Sequence, residues 1–158
     1  MNVPHSNRHA LSNDAPLGKA LDLMSLLWAV DHALQSTSKR MKRAIGVTAP
    51  QRLVIRFVGR QPGISAGTLA ETLHLHPSTL TGVLHRLQKR GLVERRPDPA
   101  DGRKALFFLT RAGAMTDGVR TGTVESAIRR AIVRLKPAEL AAARRVLAVL
   151  AGELEREE

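Results

Sequence analysis

The segment from Pro77 to Arg90 carries two different chemistries on one helical repeat. Leu80, Val83, Leu84 and Leu87 recur at three- and four-residue spacing and define an inward face, while Ser78, Gly82, His85 and Lys89 fall opposite, with Thr79, Thr81 and Arg86 on the flanks. Small and hydroxyl-bearing residues near the start of such a face let a helix settle into a major groove. There, hydroxyls contact base edges or phosphates, and bulky side chains would hold the helix off. Downstream, Arg95, Arg96, Arg103 and Lys104 cluster around the loop Pro97 to Gly102. A guanidinium on a narrow loop suits the negative potential of a minor groove, and Arg103 is the candidate for that position. Asp101 would be repelled by phosphate, so its expected work is to tighten the turn or orient an arginine.

Other chemistries find less support. His74 and His76 lack the carboxylate pair or thiolate that would complete a metal site, and they read as turn and cap residues. Ser65, Ser78, His85 and Asp101 are not surrounded by a nucleophile turn or a glycine-rich phosphate loop. The chain contains no Cys, which removes disulfides, thiolate metal ligands and thiol redox sensing. The expectation is a protein that is not an enzyme and needs no metal or cofactor.

The elements that must position these residues follow from periodicity and caps. Leu23, Leu27, Val30, Leu34, Met41 and Ile45 mark one stripe of a long helix that begins at Leu17 and ends at Gly46. Thr48, Pro50 and Gln51 form a helix start with a capping box, and Leu53, Val54, Phe57 and Val58 follow. Ser65 caps a short helix with Leu69 and Leu73, and a turn from His74 to Pro77 leads into the Pro77–Arg90 helix. Two short helices joined this way outline a helix-turn-helix. After Gly91 the period changes: Leu92 to Arg96 and Ala105 to Leu109 read as the strands of a hairpin. Thr110 then caps one long helix holding Met115, Val119, Val124, Ile128, Ile132 and Leu135, which breaks at Lys136-Pro137. Leu140, Ala143, Leu147, Leu150 and Leu154 give the last helix a seam suited to another helix.

The chain has 158 residues, of which 43% are hydrophobic, enough for one domain with a core. Its 25 Lys and Arg residues against 14 Asp and Glu give a net charge of +11, so a polyanion is the expected partner. Residues 50–104 hold ten basic and four acidic groups, whereas residues 137–158 hold three and five. Positive charge therefore concentrates around the helix-turn-helix and hairpin. The apolar runs are too short to span a bilayer and Met1 to Asp14 has no apolar signal core, so the expectation is a soluble cytoplasmic protein without a membrane partner.

The runs 46–51, 68–73, 76–93 and 98–113, in this order and spacing, resemble the multiple antibiotic resistance regulator (MarR) family. The resemblance implies a mainly α fold with a small β-wing: a winged helix-turn-helix with long N- and C-terminal dimerisation helices. Residues 1–16, with turn formers and no periodicity, are expected as a flexible tail, and the resemblance divides the rest into an N-terminal dimerisation helix at 17–46, a DNA-binding lobe at 47–110 and C-terminal dimerisation helices at 111–158. It further implies a homodimer on a pseudo-palindromic operator of double-stranded DNA, with Pro77–Arg90 as recognition helix and Arg103 at the wing tip. Arg86 matches an arginine of the family that faces DNA or bridges helix and wing. Gly82 departs from relatives that carry a base-reading side chain there, which would shift specificity to Thr81, His85 and the wing. Lys136 replaces the usual Ser or Thr cap of the last helix.

Many members of the family bind small anionic aromatic effectors between the dimerisation helices and the DNA-binding lobe. Trp28, His32 and Arg56 are the expected lining residues here, and an absent Cys excludes the thiol-oxidation mode of some relatives. The functional expectation is a sequence-specific DNA-binding transcriptional regulator, a repressor relieved by such a ligand. The alternative is an architectural nucleic-acid-binding protein whose affinity is almost wholly electrostatic.

Overall fold

The computed structural model describes residues 15–156. Of the expected 1–16 tail, residues 1–14 lie outside the described residues, and Ala15 and Pro16 already belong to the first helix. The elements run α1 (Ala15–Ile45), α2 (Ala49–Arg60), β1 (Ile64–Ser65), α3 (Ala66–Leu73), α4 (Pro77–Lys89), β2 (Val93–Pro97), β3 (Ala105–Leu109), α5 (Arg111–Gly118), α6 (Val124–Ile132) and α7 (Pro137–Glu155). The fold is mainly helical with one small antiparallel sheet ordered β1-β3-β2, in which Ile64 pairs with Phe107 and Val93 with Leu109.

Local chemistry explains most of these boundaries. Thr48 and Gln51 close a reciprocal capping box at α2, with the Thr48 N–H donating to Gln51 Oε1 at 3.1 Å. Ser65 Oγ accepts from the Thr68 N–H at 3.1 Å, and Thr110 Oγ1 accepts from the Gly113 N–H at 3.1 Å while donating to the Gly91 carbonyl. At Lys136 the missing Ser or Thr cap is replaced from the other side: Glu139 Oε2 accepts the Lys136 N–H at 2.7 Å.

The core sits in the central lobe. Val54, Ile55 and Val58 of α2 meet Leu69 of α3, Leu80, Val83, Leu84 and Leu87 of α4, and Val93 and Phe107 of the sheet. This core holds the helix-turn-helix and the hairpin as one unit. Gly113 lets α5 approach the hairpin base, because a Cβ there would stand 1.9 Å from the Leu92 carbonyl oxygen.

Two expectations need correction. The sheet has a third strand, β1, a two-residue segment too short to show a period. The single helix expected from Thr110 to Leu135 is two helices, separated at 119–123. Gly122 adopts φ +70°, and Thr123 and Ser126 form a new capping box, so the chain restarts a helix at Val124. The carbonyls freed at the end of α5 are taken up by Arg52, a side chain of α2 that is 1% exposed. Its guanidinium donates to the Thr116 carbonyl, to Asp117 O at 3.3 Å and to Val119 O at 2.7 Å, and its Nε donates to Glu125 Oε1 at 2.8 Å. One buried cation thereby ties α2 to the corner between α5 and α6.

The terminal helices have little of their own to bury. Met41 is the one buried side chain of α1 among the described residues, no residue of α7 is buried, and Leu17, Leu21, Leu26, Trp28 and Val30 of α1 are all more than half exposed. A helix about 46 Å long with an apolar stripe open to water is not self-sufficient. No helix among the described residues is long and apolar enough to cross a membrane.

Replacing Arg52 with Met removes the buried donor at the α5–α6 corner and leaves Glu125 with only the Arg56 contact at 4.0 Å. The variant is expected to lose about 3 kcal/mol of stability, read as a reduced denaturant midpoint.

Candidate nucleic-acid interface

Helix α4 is divided as its spacing predicts. Leu80, Val83, Leu84 and Leu87 are buried, whereas Ser78, Thr79, Thr81, His85, Arg86 and Lys89 are exposed and Gly82 is half-buried between them. His76 caps the helix: its Nδ1 accepts the Ser78 N–H at 3.3 Å and lies 2.7 Å from the Ser78 hydroxyl. Pro77 occupies the first turn, where its absent N–H loses nothing. Thr81 Oγ1 donates to the Pro77 carbonyl at 2.8 Å, so its proton is spent within the helix and its oxygen is left as an acceptor.

The hairpin carries the basic rim. Asp98 Oδ1 accepts from the Ala100 N–H at 2.8 Å and Asp101 Oδ1 from the Arg103 N–H at 3.2 Å, which makes both carboxylates turn-forming groups. Arg103 and Lys104 are exposed at the tip, with Lys104 Nζ 3.7 Å from Asp101 Oδ2. Arg95 is exposed on β2. Arg96 is also exposed but is committed within the hairpin, paired with Glu94 and lying 4.5 Å over the Phe108 ring centre. The two basic candidates on β2 are thus not equivalent: holding Arg96 to a phosphate would mean giving up its pairing.

A second feature lies behind the lobe. A cavity of about 830 Å³ opens between α1, α2 and α6, with Leu34, Leu53, Phe57 and Ile128 giving apolar walls and Arg52, Arg56, Arg120 and Arg129 giving cations. Arg56 lines this cavity. Trp28 and His32 are exposed on α1 and are not among the lining residues, the α1 side being Asp31, Leu34, Gln35, Ser38 and Lys39. Arg56 Nη1 donates to Asp117 Oδ1 at 2.7 Å, and Arg52 shares Glu125 with it at longer range. Burial by itself would raise the Glu125 carboxyl. The Arg52 hydrogen bond and charge, the Glu125 backbone N–H and the Thr123 side chain together outweigh that and hold it below the ordinary carboxylate value. Arg52 and Glu125 escaped the sequence reading, and the available signal was an arginine inside the apolar run of α2. His74 ends α3 in the left-handed region at φ +50°, and no group of three potential metal ligands exists among the described residues.

A short helix pair presenting the exposed face of the second helix beside a basic two-stranded hairpin defines a winged helix-turn-helix, the architecture of DNA-binding regulators. Residues 45–104 match the sequence profile of the MarR family. The chain is 37% identical over 79 residues to the transcriptional regulator HosA of Escherichia coli O111:H-, a match spanning 50% of this chain and 58% of HosA. It is 27% identical over 143 residues to the HTH-type transcriptional repressor Rv2887 of Mycobacterium tuberculosis (strain ATCC 25618 / H37Rv), covering 90% of this chain and 99% of that one. Among solved structures, the S. aureus MepR–DNA complex superposes with a TM-score of 0.68 at 18% identity, over 82% of this chain and 96% of MepR, a likeness of fold. The similarity to the MarR family is carried by the central lobe, residues 45–104. Its relatives are named as transcription regulators, not as enzymes.

The lowered Glu125 carboxyl gives a pH dependence whose sign is fixed. A carboxyl held lower in the folded chain than in the unfolded one stabilises above its ordinary pKa of about 4.3, and that contribution is lost as the pH falls through the lowered folded value. Glu125→Gln is therefore expected to reduce stability by about 1–2 kcal/mol near pH 7, discounted for partial exposure. The wild type and variant should converge as thermal melts are taken to acid pH.

Proposed function

We propose that two copies of this chain form a dimer that binds a pseudo-palindromic operator and regulates transcription as a repressor. The observation that carries this reading is α4: an exposed, small-residue polar face backed by four buried aliphatics, with exposed Arg103 on the wing beside it. The open apolar stripes of α1 and α7 supply the dimer seam, and burying them against a second copy removes a surface that a monomer would leave in water. Two-fold symmetry then sets the recognition helices about one helical turn of DNA apart, close to 34 Å. The name of the mycobacterial relative, a repressor aligned over nearly its whole length, supports repression over activation.

The cavity supports an effector site for a small aromatic anion. Its apolar walls suit a ring, and Lys39, Arg52, Arg56, Arg120 and Arg129 outnumber Asp31, Glu125 and the Asp117 paired with Arg56. Because the same cavity touches Arg52 and Glu125, an anion bound there competes for the guanidiniums that hold the α5–α6 corner. That competition is a route from ligand to the spacing of the two DNA-binding lobes.

A selection of the protein against a random duplex pool at about 150 mM salt tests this reading, since nonspecific contacts weaken there. The expected result is an enriched inverted repeat. An architectural protein would enrich nothing, and its binding would fade smoothly as salt rises. On the selected repeat, Arg103→Ala is expected to weaken binding about tenfold or more with little change in base preference away from the wing, read by fluorescence anisotropy.

A further inference from the structure

The DNA-facing side of α4 has a gap at Gly82, and an arginine lies over it. A Cβ built on Gly82 would have three Arg86 atoms as its nearest neighbours: Nη1 at 3.7 Å, Nη2 at 3.8 Å and Cζ at 4.0 Å. The guanidinium has no hydrogen-bond or ion-pair partner among the described residues, and the side chain is exposed. Glycine is unfavourable in a helix interior, and here it sits near the middle of a thirteen-residue helix.

We propose that the gap at Gly82 seats the Arg86 guanidinium flat along the outer face of α4, where it reads a guanine in each operator half-site. The inference rests on the sequence-specific reading above and assigns the reading group within it.

Three observations favour Arg86 over its neighbours. Helical side chains lean toward the N-terminus, so the head of Arg86 lies about one turn, roughly 5.4 Å, nearer the end of α4 that enters the groove than its own backbone does. Two of the three hydroxyls on this face are engaged locally: Thr81 donates to the Pro77 carbonyl, and the Ser78 hydroxyl contacts His76. Arg96 on β2 is held by Glu94 and Phe108. A planar guanidinium with free donors matches guanine O6 and N7 in a bidentate pair, which an ammonium cannot reproduce.

Geometry also says which substitutions matter. An alanine Cβ at 3.7–4.0 Å from the guanidinium is in ordinary contact and leaves it in place. A leucine at the same position needs the volume that the guanidinium occupies.

The test repeats the random-duplex selection with wild type, Arg86→Lys, Gly82→Ala and Gly82→Leu, followed by competition between the selected repeat and copies with each guanine replaced. Wild type and Gly82→Ala are expected to prefer a guanine at the same position of each half-site. Arg86→Lys and Gly82→Leu should each lose about tenfold or more of that preference, while binding to random duplex at low salt changes little. A guanine preference that survives both Arg86→Lys and Gly82→Leu, or a selected repeat without a guanine, overturns this inference and leaves the sequence-specific reading standing. A wild type that selects no repeat overturns both.

Discussion

The fold turns on a charge placed where a hydrophobic residue would be cheaper. Arg52 sits inside α2 between Leu53 and Gln51, is 1% exposed, and spends its donors on three main-chain carbonyls and the Glu125 carboxylate. A buried guanidinium is tolerable only when nearly every N–H is satisfied, and here the broken end of α5 supplies the acceptors. The arrangement is mutual: the helix break needs a donor for its free carbonyls, and the arginine needs the break. From this corner α6 runs beside α1 and α2, and the cavity opens against the same residues. The corner from which the C-terminal helices leave the lobe is thus tied to α2 by Arg52, with Arg56 adding its pair to Asp117.

On the other side of α2 the constraint is apolar. The aliphatic face of α4 packs on Val54, Ile55 and Val58, which leaves its polar face no choice but to point outward. The hairpin is fixed to the same core through Val93 and Phe107, so the wing and the helix keep a constant relation. Electrostatics then favours a polyanion without specifying a sequence, because most of the excess positive charge is long-range and screened by salt.

Local signals made the lobe legible in the sequence. The period of Leu80, Val83, Leu84 and Leu87, the caps at Thr48, Ser65 and Thr110, and the change of period after Gly91 are all encoded within a few residues, and the structure places elements there. The break at 119–123 has local marks in the sequence, since Val119 and Val124 stand five residues apart, off a helical stripe, with Gly118 and Gly122 beside them. What lies far off is the group that satisfies it: Arg52, more than sixty residues away in the chain, takes up the freed carbonyls. Strand β1 is recognisable only by its pairing with β3. The cavity lining shows the limit of residue type as a guide: Arg56 faces it, but Asp31, Leu34, Gln35 and Ser38 set the phase of α1. His32 falls off that phase, and Trp28 lies a turn beyond it.

A dimer that places two recognition helices in successive major grooves makes a geometric demand on its DNA, and hydroxyl-radical footprinting of the complex with a selected duplex measures it directly. The account predicts two protected patches related by two-fold symmetry, with centres about 10–10.5 base pairs apart, and flanking minor-groove protection from the wings. Uniform protection along the duplex, or a single patch without a symmetric partner, would contradict it.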